Sequence, residues 1–113
     1  MHVFSGVVQK GTRRAAELGF PTVNIPLENA GVSGVYASRV KVGVQEYGAA
    51  AFADPERKVL EAYLLDFAGD LYGKEITIEL HDKIRDSQQF SDDSMLRSAI
   101  ANDVAKVREH FHI

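Results

Sequence analysis

The apolar residues of this chain change their period once, and that change limits what it can fold into. Through about residue 84 they recur at every second position. From Asp92 to Phe111 they recur three or four apart. A period of two belongs to strands with one buried face, and a period near 3.6 belongs to a helix with one buried stripe. The chain is therefore read as a series of strands closed by one helix.

Five runs carry the strand signal: "VFSGVVQ" (3–9), "GVYASRVKV" (34–42), "QEYGAAAF" (45–52), "VLEAYLLDF" (59–67) and "KEITIELHDKI" (74–84). In the second, Val35, Ala37, Arg39 and Lys41 share one side and Tyr36, Ser38, Val40 and Val42 the other. In the last, Ile76, Ile78 and Leu80 oppose Thr77, Glu79 and His81. Gly43 and Val44 form a turn, and the glycine-containing stretches "NAGVSG" and "AGDLYG" separate other runs. Short strands at this spacing predict an antiparallel barrel or sandwich. In the tail, Leu96, Ile100, Val104, Val107 and Phe111 form a single helical stripe. Ser91, Asp92 and Asp93 stand where a cap is needed, and Lys106 and Arg108 suit the far end of the dipole. The expectation is a mainly β fold, a small barrel with a C-terminal α-helix, with residues 1–113 as one domain.

Composition narrows the function classes. The chain has 113 residues, 45% hydrophobic, enough for one core and too few for two domains. With a formal net charge of −3 and no block of lysine or arginine, it lacks the basic face that grips nucleic acid. There are no cysteines, so disulfides and thiolate metal sites are excluded, as suits a reducing cytoplasm. "MHVFSGVVQK" is too short and polar for a signal peptide, and no apolar run approaches a membrane span. The expected partners are small molecules, with no nucleic acid and no membrane.

Within "ELGFPTVNI" (17–25), Thr22 and Asn24 share a face while Val23 turns to the core. Their neutral oxygens either finish a strand or help to hold Mg²⁺ that arrives with nucleotide phosphates, an ion that keeps most of its ligands as water and phosphate. Glu61 is the one carboxylate within an apolar strand, beside Val59, Tyr63 and Leu65. It is either a salt-bridged edge residue or a general base with a raised pKa. "KGTRRAAELG" (10–19) is either a solvated loop or a basic cover for phosphates, and no P-loop pattern exists anywhere. "DFAGDLYG" (66–73) reads as a structural turn. In "KIRDSQQF" (83–90), Arg85 and Phe90 either pack the helix on the barrel or close a site. His2, His81, His110 and His112 lack a chelating spacing and are assigned no metal.

Taken together and in order, these segments resemble the riboflavin kinase family, found alone or as the C-terminal half of bifunctional bacterial FAD synthetases. "FSGVVQKG" is similar to its opening strand, "LGFPTVNI" to its G-[FL]-P-T-x-N motif and "SGVYASRV" to its G-V-Y strand. "LEAYLLDFAGDLYGKEITIEL" and "KIRDSQQFSDDSMLRSAIANDVAKVRE" are similar to its catalytic-strand and closing segments. The resemblance implies a six-stranded antiparallel Greek-key barrel with a C-terminal helix. It implies transfer of the ATP γ-phosphoryl group to the ribityl 5′-hydroxyl of riboflavin, giving FMN. Glu61 would be the base, and Thr22 and Asn24 would bind Mg²⁺ and phosphate. Gly11, Arg14 and Gly19, followed by Pro21, would belong to a flap over the nucleotide, and Arg85 and Phe90 would line the flavin side. A cytoplasmic monomer is expected.

The chain also departs from the family pattern. Arg13 and Ala15 replace glycines of the flap. Ala51 and Ala53 stand where an asparagine and a glycine are usual, the connection from Tyr47 to Glu61 is shorter, and Tyr63 replaces a histidine. These changes leave a second expectation, a kinase-like module that binds flavin or nucleotide with little or no turnover.

Overall fold

The computed structural model describes residues 1–10, 14–28 and 31–113, with the side chains of Arg14 and Ala15 outside the description. The described residues form six strands: β1 (His2–Val7), β2 (Val23–Pro26), β3 (Gly34–Val42), β4 (Gln45–Asp54), β5 (Val59–Leu64) and β6 (Glu75–Arg85). A single turn of helix, α1 (Arg14–Glu17), precedes β2, and the long helix α2 (Asp93–Phe111) follows β6. The strand order is β1-β6-β3-β4-β5-β2, and each neighbouring pair is antiparallel. Strands β3, β4 and β5 form a meander, and β6 returns to lie beside β3, which is the Greek-key arrangement. The two outer strands meet at one bridge, where Gln9 N–H donates to the Asn24 carbonyl at 2.8 Å, and the sheet becomes a nearly closed barrel. Among the described residues, no helix is long and apolar enough to cross a membrane.

The alternation seen in the sequence is the inside–outside pattern of the barrel. Ile76, Ile78 and Leu80 of β6 are buried, as are Leu60, Ala62 and Leu64 of β5. Ala49, Ala51 and Ala53 of β4 are fully buried in the same cluster. A barrel this narrow has room for few large side chains, so these three positions of β4 contribute methyl groups only, with Tyr47 of the same strand packed against the cluster. Strand β3 follows the expected faces less strictly. Its register against β6 shifts at Val35/Tyr36 and at Ala37/Ser38. Such bulges turn side chains, and Val35, Ala37, Ser38 and Val40 are all buried.

Helix α2 begins as its sequence predicts, with Ser94 N–H donating to Asp92 Oδ1 at 2.7 Å. Its stripe covers one outer face of the barrel. Val107 is fully buried there with Ala37 and Leu65, and Val104 and Phe111 pack around them. Gly48 permits this approach, since a Cβ at that position would lie 3.0 Å from Ile113 Cδ1 and 3.5 Å from Phe111. "DFAGDLYG" is structural, as expected: Leu71 is buried, and Asp66 accepts from Arg108 of α2 at 2.9 Å.

Two segments differ from the sequence reading. The expected flap loop contains α1, because Arg14–Glu17 are good helix formers without the usual glycine. The shortened connection from Tyr47 to Glu61 is mostly strand. Strand β4 runs on to Asp54 and β5 resumes at Val59, so only residues 55–58 form the turn. Asp54 organises it by accepting from the backbone N–H groups of Glu56 at 3.1 Å and Arg57 at 3.2 Å.

Candidate active site

Two cavities adjoin on the outside of the barrel. The larger, of about 500 Å³, lies between the barrel and α2. Its walls include Phe20, Phe52, Tyr63, Phe90, Leu96 and Ile100, so it is mostly apolar and aromatic. Phe20 meets Tyr63 edge-on at 5.3 Å, so Tyr63 extends the aromatic wall. The smaller cavity, of about 470 Å³, has a polar lining that includes Gln9, Lys10, Asn24 and Lys58. Glu61 and Arg57 border both.

Glu61 stands at this junction because β5 alternates. Leu60, Ala62 and Leu64 fill the barrel, so Val59, Glu61 and Tyr63 face outward. The Glu61 side chain is only 12% exposed, and its Oε1 accepts from Arg57 Nη2 at 2.9 Å. The carboxylate thus sits in an ion pair and not in purely apolar surroundings. Arg57 Nε in turn donates to Asp54 Oδ2 at 2.6 Å. The Asp54 hydrogen bond raises the Arg57 pKa against the opposing effect of burial, and Glu61 adds to the rise.

Asn24 is the direct register partner of Glu61 across the β2–β5 ladder. It is buried, and its Oδ1 has no hydrogen-bond partner among the described residues. Leaving such an acceptor unsatisfied costs about 1–3 kcal/mol, and functional sites are where that cost persists. A bare amide oxygen fits a hard cation such as Mg²⁺. Thr22 precedes β2 and borders the larger cavity, whereas Asn24 borders the smaller. The two therefore flank Glu61 from different cavities.

Arg85 and Phe90 both line the larger cavity, and the Arg85 guanidinium lies over the Phe90 ring at 5.8 Å. Arg85 also forms a two-pronged ion pair with Asp103 of α2, at 2.9 and 2.8 Å. Gly34 lets the chain pass close by. Its φ is +99°, and a Cβ there would lie 2.6 Å from the Arg85 carbonyl oxygen. Gly19 ends the turn after α1, its N–H donating to the Ala16 carbonyl at 3.0 Å. Gly19 and Pro21 are exposed and are not among the residues lining either cavity. Gly11 and Arg13 lie outside the described residues, as does the Arg14 side chain. Among the described residues, no group of three or more His, Cys, Asp or Glu side chains could hold a metal ion.

Arg57 and Asp103 did not stand out in the sequence. Asp103 carried a faint signal, falling between Ile100 and Val107 on the apolar side of the helix. Arg57 carried none, because its importance comes from the turn that folds it back over Glu61.

Comparison with known proteins bears on this arrangement. The family model described as Flavokinase: Riboflavin kinase matches residues 1–111. The bifunctional riboflavin kinase/FMN adenylyltransferase of Escherichia coli (strain K12) is 39% identical over 116 residues, covering 95% of this chain and 37% of that protein. The crystal structure of a macrolide-efflux protein from Streptococcus pneumoniae superposes with a TM-score of 0.82 at 27% identity, over 94% of this chain and 38% of that one. The riboflavin kinase of Trypanosoma brucei superposes with a TM-score of 0.69 at 26% identity, over 97% of this chain and 79% of that one. The chain spans a little over a third of the length of the curated relatives it matches.

Proposed function

The chain belongs to the riboflavin kinase family, and on that premise we propose that it transfers the γ-phosphoryl group of ATP to the ribityl 5′-hydroxyl of riboflavin, giving FMN and ADP. The observation that carries this reading is the position of Glu61 on the wall shared by an aromatic cavity and a polar one. The aromatic cavity suits a flat isoalloxazine ring. The polar cavity, with Lys10 and Lys58, suits phosphates. A ribityl chain leaving the first cavity and a triphosphate entering through the second meet at Glu61.

In the transfer, the 5′-oxygen forms a bond to the γ-phosphorus as the bond to the β,γ-bridging oxygen breaks. The electron pair leaves with ADP, and the Glu61 carboxylate takes the hydroxyl proton. Phosphoryl transfer asks a protein mainly for position and charge neutralisation. The β2–β5 ladder supplies position by fixing Asn24 opposite Glu61. Mg²⁺ bound with the nucleotide would neutralise phosphate charge, with Asn24 and Thr22 as the residues to hold it. Arg85 and Phe90 wall the flavin side, and a flap that includes Arg14 and Gly19 covers the nucleotide. Cytoplasmic action as a monomer belongs to the same reading.

One observation favours the second reading, a module that binds flavin or nucleotide without turnover: Arg57 already engages the Glu61 carboxylate. Incubation with riboflavin and Mg-ATP separates the two. Formation of FMN and ADP in equal amounts is expected. Binding of both ligands without FMN would establish the module instead.

A further inference from the structure

We propose that Arg57 is a second catalytic residue of this site, the cation that receives the phosphoryl group in flight; the proposal rests on the kinase reading above. Lys10 and Lys58 border only the polar cavity, and Lys10 lies over the Tyr72 ring at 5.6 Å. Arg85 borders only the aromatic cavity and is held by both oxygens of Asp103. Among the described residues, Arg57 is the one cationic side chain bordering both cavities, and Glu61 is the one carboxylate doing so. The transferred group must cross that shared wall.

The geometry of Arg57 suits the task. Asp54 grips Nε and so fixes the plane of the guanidinium, while Nη2 donates to Glu61. A guanidinium has more N–H donors than these two bonds use, and the side chain is 43% exposed. Its remaining donors can meet phosphoryl oxygens in the paired geometry that arginine provides and lysine does not. The ion pair with Glu61 also couples the two halves of the reaction. As Glu61 takes the hydroxyl proton its negative charge disappears, and the Arg57 charge is released toward the oxygens of the moving phosphoryl group. The bond that ties up the base in the resting protein is thereby loosened by the proton transfer itself.

The test compares wild type with Arg57→Ala, Arg57→Gln, Arg57→Lys and Asp54→Asn. Two readouts are needed: steady-state kinetics of FMN formation, and calorimetric binding of a non-hydrolysable ATP analogue against ADP, both with Mg²⁺. The Ala and Gln variants are expected to lose about 10²–10³-fold in kcat, while the KM for riboflavin changes by no more than about threefold. Both should lose the preference for triphosphate over diphosphate, and Lys should keep part of it. Asp54→Asn loosens the turn but leaves the cation, so its losses should be smaller. If Ala and Gln keep kcat and the triphosphate preference, or if Asp54→Asn matches their losses, Arg57 is only a brace and the proposal falls. If wild type makes no FMN yet turns Mg-ATP over to ADP and phosphate, and Arg57→Ala abolishes this, the riboflavin reading fails while the phosphoryl role of Arg57 stands. A wild type without triphosphate preference overturns that role.

Discussion

Asn24 and Glu61 face each other across the β2–β5 ladder, one with an unpartnered amide oxygen and the other in an ion pair with Arg57. A neutral acceptor and a charged one have been set side by side, with the neutral one left unsatisfied. This is the opposite of what stability alone favours, and it makes the pair testable.

Asn24→Ala should weaken Mg-nucleotide binding more than riboflavin binding. It should not lower the denaturation midpoint of the ligand-free protein, because it removes a buried acceptor whose desolvation costs about 1–3 kcal/mol. Chemical denaturation and calorimetry on the same preparation check both claims. A clear loss of stability, or equal losses for the two ligands, would make Asn24 a structural residue.

Glu61→Gln should reduce turnover by about 10²–10⁴-fold, the range typical of general-base catalysis, with both ligands still bound. Single-turnover kinetics isolates the chemical step. Turnover near that of wild type would remove Glu61 from the mechanism.

Asp103→Ala should destabilise the fold by about 3 kcal/mol, because it strands a half-buried Arg85 cation between β6 and α2. Urea unfolding measures this. Riboflavin affinity should fall too, since Arg85 and the helix residues Leu96 and Ile100 line the same cavity. A variant as stable as wild type would mean that the ion pair does not hold the helix in place.

The β4–β5 turn should loosen in acid. Burial pushes the Asp54 carboxyl up, but hydrogen bonds from the Arg57 side chain and the turn backbone outweigh it and hold the pKa below the ordinary 3.8. A depressed folded-state pKa means that the stabilisation is present above 3.8 and is lost as pH falls through the lower folded value. Amide chemical shifts of Glu56 and Arg57, followed by NMR through that window, should report the loss. Asp54→Asn should abolish the transition, and a transition that survives in the variant would assign it to another group.

What the sequence made legible were the features governed by local period. Ile76, Ile78 and Leu80 announced an inward strand face, and the steps from Leu96 to Phe111 announced α2 and its cap at Asp92. Glu61 stood out because a carboxylate in an apolar strand is rare, and its place between two cavities follows from the same alternation. Features depending on the meeting of distant segments were not legible. The bulges of β3 depend on β6, and the junction role of Arg57 depends on how tightly residues 55–58 turn. Thr22 and Asn24 were expected on one face by simple alternation. They border two cavities that meet at Glu61, Thr22 just before β2 and Asn24 within it.

The bridge between Gln9 and Asn24 has a mechanical consequence. The barrel is a strip of six staves whose two ends are joined at this point. Gln9 and Lys10 follow the first stave, Asn24 belongs to the last, and all three border the polar cavity. Any molecule filling that cavity therefore touches both sides of the join and acts as a clasp on the hoop. Occupancy of the cavity therefore reinforces a join that the bridge already makes, and tighter binding there should stiffen the wall on which Glu61 is mounted.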